Sequence, residues 1–186
     1  MFWIGGDVYR GQWEDDMMHG KGMSIWTDGD IHQGYYIKDK MHGKGMMIRA
    51  NHDRYTGYFK ESKMHGEGIM KWSNGDVYNG QWENNMRHGK GKETYINGNK
   101  YFGDFALNKK CGDGIMTWLD GNIYNGQWEN DLMHGKGVYL HQNGDVFQGY
   151  WYENKNNGDG LCILADGKEV KESWENGNLI SRVVES

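Results

Sequence analysis

Residues 75–91 read GDVYNGQWENNMRHGKG, and residues 121–137 read GNIYNGQWENDLMHGKG. Both are copies of a pattern that recurs every 23 residues without an insertion, and positions 23 residues apart are called a column below. Each copy is centred on a glycine, at Gly11, Gly34, Gly57, Gly80, Gly103, Gly126 and Gly149. An aromatic residue follows two positions later, at Trp13, Tyr36, Phe59, Trp82, Phe105, Trp128, Trp151 and, in a degenerate eighth copy, Trp174. A fixed period of this length is typical of a repeat array.

The repeat explains the unusual glycine content. The chain has 30 glycines among 186 residues, against a usual share of about 7%. Besides the central column there is a Gly-x-Gly pair in every copy, from Gly20 and Gly22 to Gly158 and Gly160. A turn glycine completes the pattern, at Gly6, Gly29, Gly75, Gly98, Gly121, Gly144 and Gly167. Only Gly5 and Gly177 lie outside these columns, so the glycine excess is a property of the repeat.

Each copy predicts two strands. Residues 76–83, DVYNGQWE, alternate and are rich in aromatic and β-branched residues, and GIMTW at 114–118 shows the second strand. Turns are predicted by the Asn-Gly and Asp-Gly pairs that begin at residues 74, 97, 120, 143 and 166. A two-residue loop would place Trp72 and Tyr78 on opposite faces, whereas a three-residue loop ending in a left-handed glycine places them on the same face. We predict the three-residue loop, because it gathers the rings on one side.

Aromatic rings are predicted to form the core. A glycine inside a strand costs about 0.5–1 kcal/mol, and a neighbouring ring that lies over the bare backbone offsets this cost. We therefore predict an all-β fold, a single-layer antiparallel β-hairpin solenoid of seven to eight repeats, stabilised by contacts between neighbouring repeats. The predicted core rings are Tyr9, Trp13, Tyr36, Tyr55, Phe59, Tyr78, Trp82, Tyr101, Phe105, Tyr124, Trp128, Phe147 and Trp151.

The pattern resembles the MORN-repeat family, whose repeat reads roughly YxGxWxxxxxHGxGxxxW followed by a turn glycine. The resemblance covers residues 2 to about 174 and implies cytoskeletal, ciliary or membrane-proximal assembly roles, as well as self-association. Five residues depart from their columns: His32 from the tyrosine column, His52 from the turn-glycine column, Cys111 and Asn157 from the histidine column, and Glu172 from the central-glycine column.

We predict a single solenoid over residues 1–186, with a partial repeat in 1–5, repeats in 6–174 and a C-terminal cap or tail in 175–186. In the partial repeat, Phe2 and Trp3 fall in the columns of Ile25 and Trp26. At the other end, a helical spacing predicts a cap over the last hairpin, formed by Leu179, Ile180, Val183 and Val184.

Composition argues against several classes of protein. The net charge is −5 and the basic residues are spread along the chain, so we expect no nucleic-acid partner. No apolar run approaches the ~20 residues of a spanning helix, and the N-terminal sequence lacks the pattern of an export signal. Cys111 and Cys162 have no zinc or disulfide spacing. We expect a soluble, cytoplasmic chain, and the family resemblance implies association with the cytoskeleton or a cilium.

We expect neither catalysis nor a cofactor. A column of histidines precedes the Gly-x-Gly pairs, at His19, His42, His65, His88 and His134. Successive copies two strands apart are separated by about 9.6 Å, too far for two to bind one Zn²⁺ at about 2.0–2.1 Å. We therefore interpret this column as structural. The chain has no nucleophile motif, and a flat sheet offers no deep pocket to perturb a carboxylate.

A methionine column lies next to the ring columns, and soft methionines beside rigid rings suit a groove for an extended or helical segment. We predict a non-enzymatic scaffold that binds a protein partner through this groove. The predicted groove residues are Trp26, Met47, Met70, Trp72, Tyr95, Met116, Trp118 and Tyr139. The alternative role for the methionines is to fill gaps in the ring stack.

Three alternatives remain open at this point. A lysine row at Lys21, Lys44, Lys90 and Lys136 would suit a peripheral tether to anionic phospholipid, although Glu67, Asp113 and Asp159 interrupt it. Short Gly/aromatic hairpins also build carbohydrate- and choline-binding sites, in which rings stack on a quaternary ammonium. The family resemblance adds a second copy of the chain, as a homodimer, to the candidate partners.

Overall fold

The computed structural model describes residues 6–184, which contain 17 strands and no helix. The chain divides into two compact units, the first ending at Ile96 and the second beginning at Asn97. The first unit contains β1 (Val8–Glu14), β2 (Met17–Ile25), β3 (Ile31–Ile37), β4 (Lys40–Ile48), β5 (Arg54–Lys60), β6 (Lys63–Lys71), β7 (Val77–Glu83) and β8 (Met86–Thr94). The second contains β9 (Lys100–Ala106), β10 (Lys109–Thr117), β11 (Ile123–Glu129), β12 (Leu132–Leu140), β13 (Val146–Tyr152), β14 (Lys155–Asn156), β15 (Gly158–Ile163), β16 (Glu169–Glu175) and β17 (Asn178–Val184).

Within each unit, successive strands pair antiparallel. From β1 to β8, every strand pairs with the next one along the chain. From β9 to β17 the same order holds, except that the short β14 and its continuation β15 both pair with β13. The predicted all-β fold of antiparallel hairpins with a period of 23 residues is therefore confirmed.

The glycine turn has the predicted three-residue loop. The Gly75 N–H donates to the Trp72 carbonyl oxygen at 2.9 Å, and the Trp72 N–H donates to the Asp76 carbonyl oxygen at 2.9 Å. Gly75 has φ 97°, a left-handed conformation that glycine adopts without steric cost. Because the loop has an odd number of residues, Met70 pairs with Tyr78 and both point to the face that carries the rings.

The other turn of each repeat is a two-residue loop whose residues both have positive φ. In the fourth repeat, Asn84 has φ 50° and Asn85 has φ 70°, as in the type I′ turns that suit the twist of a hairpin. Only one of these loops contains a glycine, so the glycine columns do not reveal them. The loops lie at 15–16, 38–39, 61–62, 84–85, 107–108, 130–131, 153–154 and 176–177.

A β-bulge explains why the glycines occur as a Gly-x-Gly pair. Gly11 pairs with Gly22 and Gln12 with His19, so two residues of β2 bulge out of the pairing. The first of them, Gly20, has φ 62°, and a side chain in this region is strained. The Gln12 side-chain Oε1 accepts a hydrogen bond from the Lys21 N–H at 2.8 Å, so this backbone donor in the bulge has a partner. The first glycine of the pair therefore serves the bulge, and the second lies under a ring.

The ring of Tyr78 lies over Gly80 and Gly91. It is fully buried, and a Cβ atom added to Gly80 would lie 2.6 Å from its Oη atom. The hydroxyl donates to the Gln81 carbonyl oxygen at 2.9 Å, and burial raises the pKa of Tyr78. The predicted ring-on-glycine contact is thus present, and it explains why this column is mostly tyrosine.

Successive rings pack edge to face. Tyr78 and Trp82 have centroids 5.2 Å apart at 89°, and Tyr55 and Trp82, from neighbouring repeats, have centroids 5.5 Å apart at 82°. Such pairs contribute about 0.5–1.5 kcal/mol beyond the area that they bury. The Trp82 Nε1–H also donates to the Gly68 carbonyl oxygen at 3.2 Å. All of the core rings named in the sequence analysis are buried except Trp13, which is half-buried.

Two series of side chains connect neighbouring hairpins at their ends. At the glycine loops, the Asp76 Oδ1 accepts the Ile96 N–H at 2.8 Å, and the same bond recurs from residues 7, 30, 53, 99, 122 and 145. At the two-residue loops, the Asn85 Oδ1 accepts the Met64 N–H at 2.8 Å, and residues 39, 62, 131 and 154 do the same. Within a unit, these two series link neighbouring hairpins at both their glycine loops and their two-residue loops.

Replacing Asn85 with alanine should destabilise the protein by about 1–3 kcal/mol. The change removes the acceptor of the Met64 N–H, and the loss of this hydrogen bond costs about 1 kcal/mol. It also places a side chain that makes no local hydrogen bond at φ 70°, and this backbone strain costs about 1–2 kcal/mol. Urea unfolding measures the loss. The control Asn85→Gly tolerates the positive φ and lacks only the acceptor, so it should be the milder variant. Equal stability of Asn85→Ala and the parent protein would contradict this account.

The C-terminal helical cap predicted from the spacing of Leu179, Ile180, Val183 and Val184 is wrong. These residues lie in strand β17, which pairs with β16 and is exposed along its length. Apolar residues at that spacing also fit a strand, and β-branched residues such as Val183 and Val184 favour one. The predicted partial repeat at residues 1–5 lies outside the described residues.

Candidate functional site

The ring face carries the methionines of the predicted groove as its floor. Met70 pairs with Tyr55 and Tyr78, and Met116 pairs with Tyr101 and Tyr124. Met70 is 5% exposed and Met116 7%, so both fill the space between rings and offer little surface to a partner.

Met47 pairs with His32 and Tyr55 in the same column as Met70 and is half-buried. It lines a small cavity of about 50 Å³ together with Tyr55, Phe59 and Met70. The methionine floor is therefore closed at Met70 and Met116 and partly open at Met47.

The five aromatic residues of the predicted groove are all half-buried, and we call them the aromatic rim: Trp26, Trp72, Tyr95, Trp118 and Tyr139. In the second unit, the rings of Trp118 and Tyr139 lie 5.5 Å apart at 32°, and Tyr139 stacks on Trp151 at 5.6 Å and 29°. Burial raises the pKa of the Tyr139 hydroxyl, and the Asp120 carboxylate adds to the shift. The rim combines rigid rings with partial exposure.

An ion pair that the sequence analysis missed lies on this face in the fourth repeat. Arg87 and Glu93 occupy the two columns in which other repeats carry methionine, and their side chains form a partly buried ion pair. The Tyr95 hydroxyl donates to the Glu93 carboxylate, and the Arg87 guanidinium lies 5.8 Å from the Trp72 ring centroid. The sequence signal for this ion pair was that two columns with methionine in other repeats carry opposite charges in the fourth repeat.

In the second repeat, a buried hydrogen-bond chain is added to the contact between the ring of the tyrosine column and the glycines. His32, in the tyrosine column, is fully buried and its Nδ1 lies 2.7 Å from the Tyr36 hydroxyl. That hydroxyl donates to the Ser24 Oγ at 2.7 Å, so His32 is assigned the tautomer with a hydrogen on Nδ1. Burial lowers the pKa of His32 to about 4 and raises that of Tyr36 to about 12. His32 therefore stays neutral at physiological pH.

The predicted lysine row lies on the face opposite the rings. Three of its members lie over exposed tyrosines at 5.3–5.7 Å: Lys21 over Tyr35, Lys44 over Tyr58 and Lys136 over Tyr150. Lys90 is exposed, and the acidic residues Glu67, Asp113 and Asp159 share the column and are exposed as well. The face thus alternates in charge along this row.

The histidine column lies at the strand bulges, and His19, His88 and His134 lie beside glutamates of the paired strand. His19 Nδ1 lies 3.0 Å from the Glu14 carboxylate, and His134 Nε2 lies 3.4 Å from that of Glu129. No three His, Cys, Asp or Glu side chains within residues 6–184 are grouped to hold a metal ion. Over the same residues, no helix is long and apolar enough to cross a membrane.

Comparison with known proteins identifies the repeat. The MORN repeat model matches six consecutive stretches, residues 9–31, 32–54, 55–77, 78–100, 101–123 and 124–146. No curated protein matches the chain.

Two solved structures share the fold, both of the TCP domain of Drosophila melanogaster SAS-4. The domain in complex with a proline-rich motif of Ana2 is 12% identical with a TM-score of 0.56, over 89% of this chain and 90% of that chain. The TCP10c domain of the same protein is 11% identical with a TM-score of 0.51, over 90% of this chain and 100% of that chain. At these identities the likeness concerns the fold.

Proposed function

We propose that this chain, which belongs to the MORN-repeat family, is a non-enzymatic scaffold that binds an extended or helical segment of a protein partner through the rim rings of a single unit. The observation that carries the proposal is the rim itself: its Trp and Tyr side chains remain half-buried, whereas most other rings on this face of each unit are buried. Tryptophan and tyrosine dominate the energetic centres of protein interfaces, because they supply rigid contact area with few rotatable bonds.

The burial of two methionines narrows the proposed contact surface. Since Met70 and Met116 lie within the ring stack, we propose Trp26, Trp72 and Tyr95 as the contact residues of the first unit, and Trp118 and Tyr139 as those of the second. The buried methionines support these rings from below. The SAS-4 domain in complex with a proline-rich motif of Ana2 is an instance of this fold with a bound partner segment. The cytoskeletal assembly role that we propose for this chain rests on its membership of the MORN-repeat family.

The test compares two double variants of the full chain. Trp72→Ser with Trp118→Ser removes one rim ring from each unit, whereas Tyr58→Ser with Phe102→Ser removes exposed rings that do not belong to the rim. We expect the rim variant to lose at least about tenfold in affinity for the partner that co-purifies from the native source, since central Trp truncations cost about 2 kcal/mol or more. Quantitative co-purification, with circular dichroism to confirm the fold, measures the effect.

The second candidate function is a tether to anionic phospholipid, and the control variant distinguishes it from the protein scaffold. The observation that favours it is the set of lysines over exposed tyrosines, including Lys44 over Tyr58. If the protein floats with phosphatidylserine vesicles at physiological salt and the Tyr58→Ser variant does not, the lysine face is the binding surface.

The scaffold proposal has its own contradicting outcome. If the rim variant binds the protein partner as tightly as the parent protein does, the proposal is rejected.

A further inference from the structure

The eighth repeat differs from the others at two linked positions. In the seventh repeat, the ring of Phe147 lies over Gly149 and Gly160, so that a Cβ atom on Gly149 would lie 2.6 Å from the ring. In the eighth, Val170 stands in the ring column and Glu172 in the central-glycine column. The ring and the glycine of the contact are thus both replaced, and a carboxylate lies where the ring stack would have continued.

The Glu172 side chain is buried and points to the ring face. It is 7% exposed, its Oε2 accepts the Trp174 Nε1–H at 3.0 Å, and its Oε1 lies 3.4 Å from the Arg182 Nε. In the same column as Trp174, the Trp128 indole instead donates to a glycine carbonyl oxygen, at 3.1 Å. The indole of the eighth repeat is therefore redirected to the carboxylate. Each carboxylate oxygen has capacity for a further hydrogen bond.

A cavity of about 490 Å³ opens beside this carboxylate, within the second unit. Its volume is within the range of small-ligand sites, about 300–1,000 Å³. Phe147, Leu164 and Trp174 line the apolar side, and the Phe147 and Trp174 rings lie 6.2 Å apart at 84°. The amides of Asn143 and Asn156 lie on the polar side.

The local field in this cavity is negative. Burial raises the pKa of the Cys162 thiol, which lines the cavity, and the Glu172 and Asp145 carboxylates raise it further, against an opposing effect of Arg182. A cation is therefore the ligand that the charges favour. A carboxylate and aromatic rings together suit a guanidinium, which bonds the carboxylate through its N–H groups and stacks on rings.

We propose that this cavity, which we call the Glu172 pocket, binds an arginine side chain of a partner protein, and that the chain's own Arg182 competes for the same carboxylate. Arg182 lies on β17, a strand exposed along its length, and its side chain is 45% exposed. Its ion pair with Glu172 is long, at 3.4 Å, so a guanidinium that bonds the carboxylate through two N–H groups can replace it. The proposal goes beyond the aromatic rim, and its failure leaves the rim proposal untouched.

The test uses two variants of the full chain with opposite expected effects. The probe is the blocked tripeptide acetyl-Gly-Arg-Gly-amide, and the readout is the Trp174 indole N–H resonance, assigned with Trp174→Phe. Arg182→Ser removes the internal competitor and should bind the peptide at least about fivefold more tightly than the parent protein. Glu172→Gln keeps an acceptor for the Trp174 indole but removes the charge, and should bind at least about tenfold more weakly than the parent protein.

The same peptide with citrulline in place of arginine has nearly the same shape without the charge, and it should leave the resonance unmoved. Equal affinity of Arg182→Ser and the parent protein, or equal binding of the citrulline peptide, overturns the proposal. If Arg182→Ser does not fold, as circular dichroism would show, the comparison of the parent protein with Glu172→Gln decides. A tenfold loss in Glu172→Gln then supports the pocket, and unchanged affinity rejects it.

Discussion

Replacing Gly80 with alanine should destabilise the protein by at least about 3 kcal/mol, the upper end of the usual range for overpacking. The new Cβ atom would lie 2.5 Å from the Gly91 Cα, 2.6 Å from the Tyr78 Oη and 2.7 Å from the Lys90 carbonyl oxygen. Two of these neighbours are backbone atoms, so a change of rotamer cannot relieve the contact. Urea unfolding followed by circular dichroism measures the loss.

Gly167→Ala is the matched control for this prediction. Gly167 has φ 86° and no atom within 4 Å of an added Cβ, so alanine there meets only the strain of the left-handed backbone, about 1–2 kcal/mol. Gly80 has no positive φ, and its cost is steric alone. A Gly80→Ala variant that is as stable as Gly167→Ala would show that the ring-on-glycine contact has more room than the structure indicates.

His32 should make the protein lose stability on acidification. Its pKa is about 4 in the folded protein and about 6.5 in the unfolded chain, so the unfolded chain takes up the proton first as the pH falls. The contribution of neutral His32 is complete above about pH 6.5 and declines as the pH falls to about 4. Over this window the loss is about 3 kcal/mol.

His32→Phe isolates this effect. Phenylalanine occupies the same column at Phe147, it does not titrate, and the Tyr36 hydroxyl can still donate to Ser24. Unfolding free energies from urea titrations at pH 7.5 and pH 4.0 are compared between the variant and the parent protein, so that the carboxylates, which titrate in both, cancel. Between these two pH values, we expect the unfolding free energy of the variant to fall by about 3 kcal/mol less than that of the parent protein.

The fold was predictable because one period fixes both the strands and their faces. The turn glycine determines an odd loop length, and the odd length places Trp72 and Tyr78 on one side. The glycine columns and the tyrosine column are linked by one packing contact, because the tyrosine ring lies over the glycines and needs the space that their missing side chains leave. With these elements in place, the rings could be assigned to the buried face without reference to any structure.

Other features were less predictable, because their signals are local or ambiguous. The turn at Asn84 and Asn85 contains no glycine, although both residues have positive φ. The bulge at Gly20 requires the pairing of two strands to become visible. The spacing of Leu179 and Val183 fits a helix as well as a strand, and pairing with β16 decides for the strand.

The candidate site required atomic detail beyond the pattern. The sequence placed Met70 on the ring face but could not show whether its side chain faces solvent or fills the space beside Tyr55 and Tyr78. Arg87 and Glu93 both lie on β8 and pair across its bulge, whereas in the sequence each residue alone looks like an isolated departure from its column. Both depend on distances between side chains, which periodicity does not contain.

The three-residue loop constrains how such a chain can change in length. One added residue at Asn74 would reverse the orientation of every later side chain relative to those before it, because strand residues alternate between faces. Indoles would then emerge into water and lysines would enter the interior. Insertion of a complete 23-residue unit preserves every orientation, so an array of this kind can lengthen or shorten by whole repeats without exposing its core.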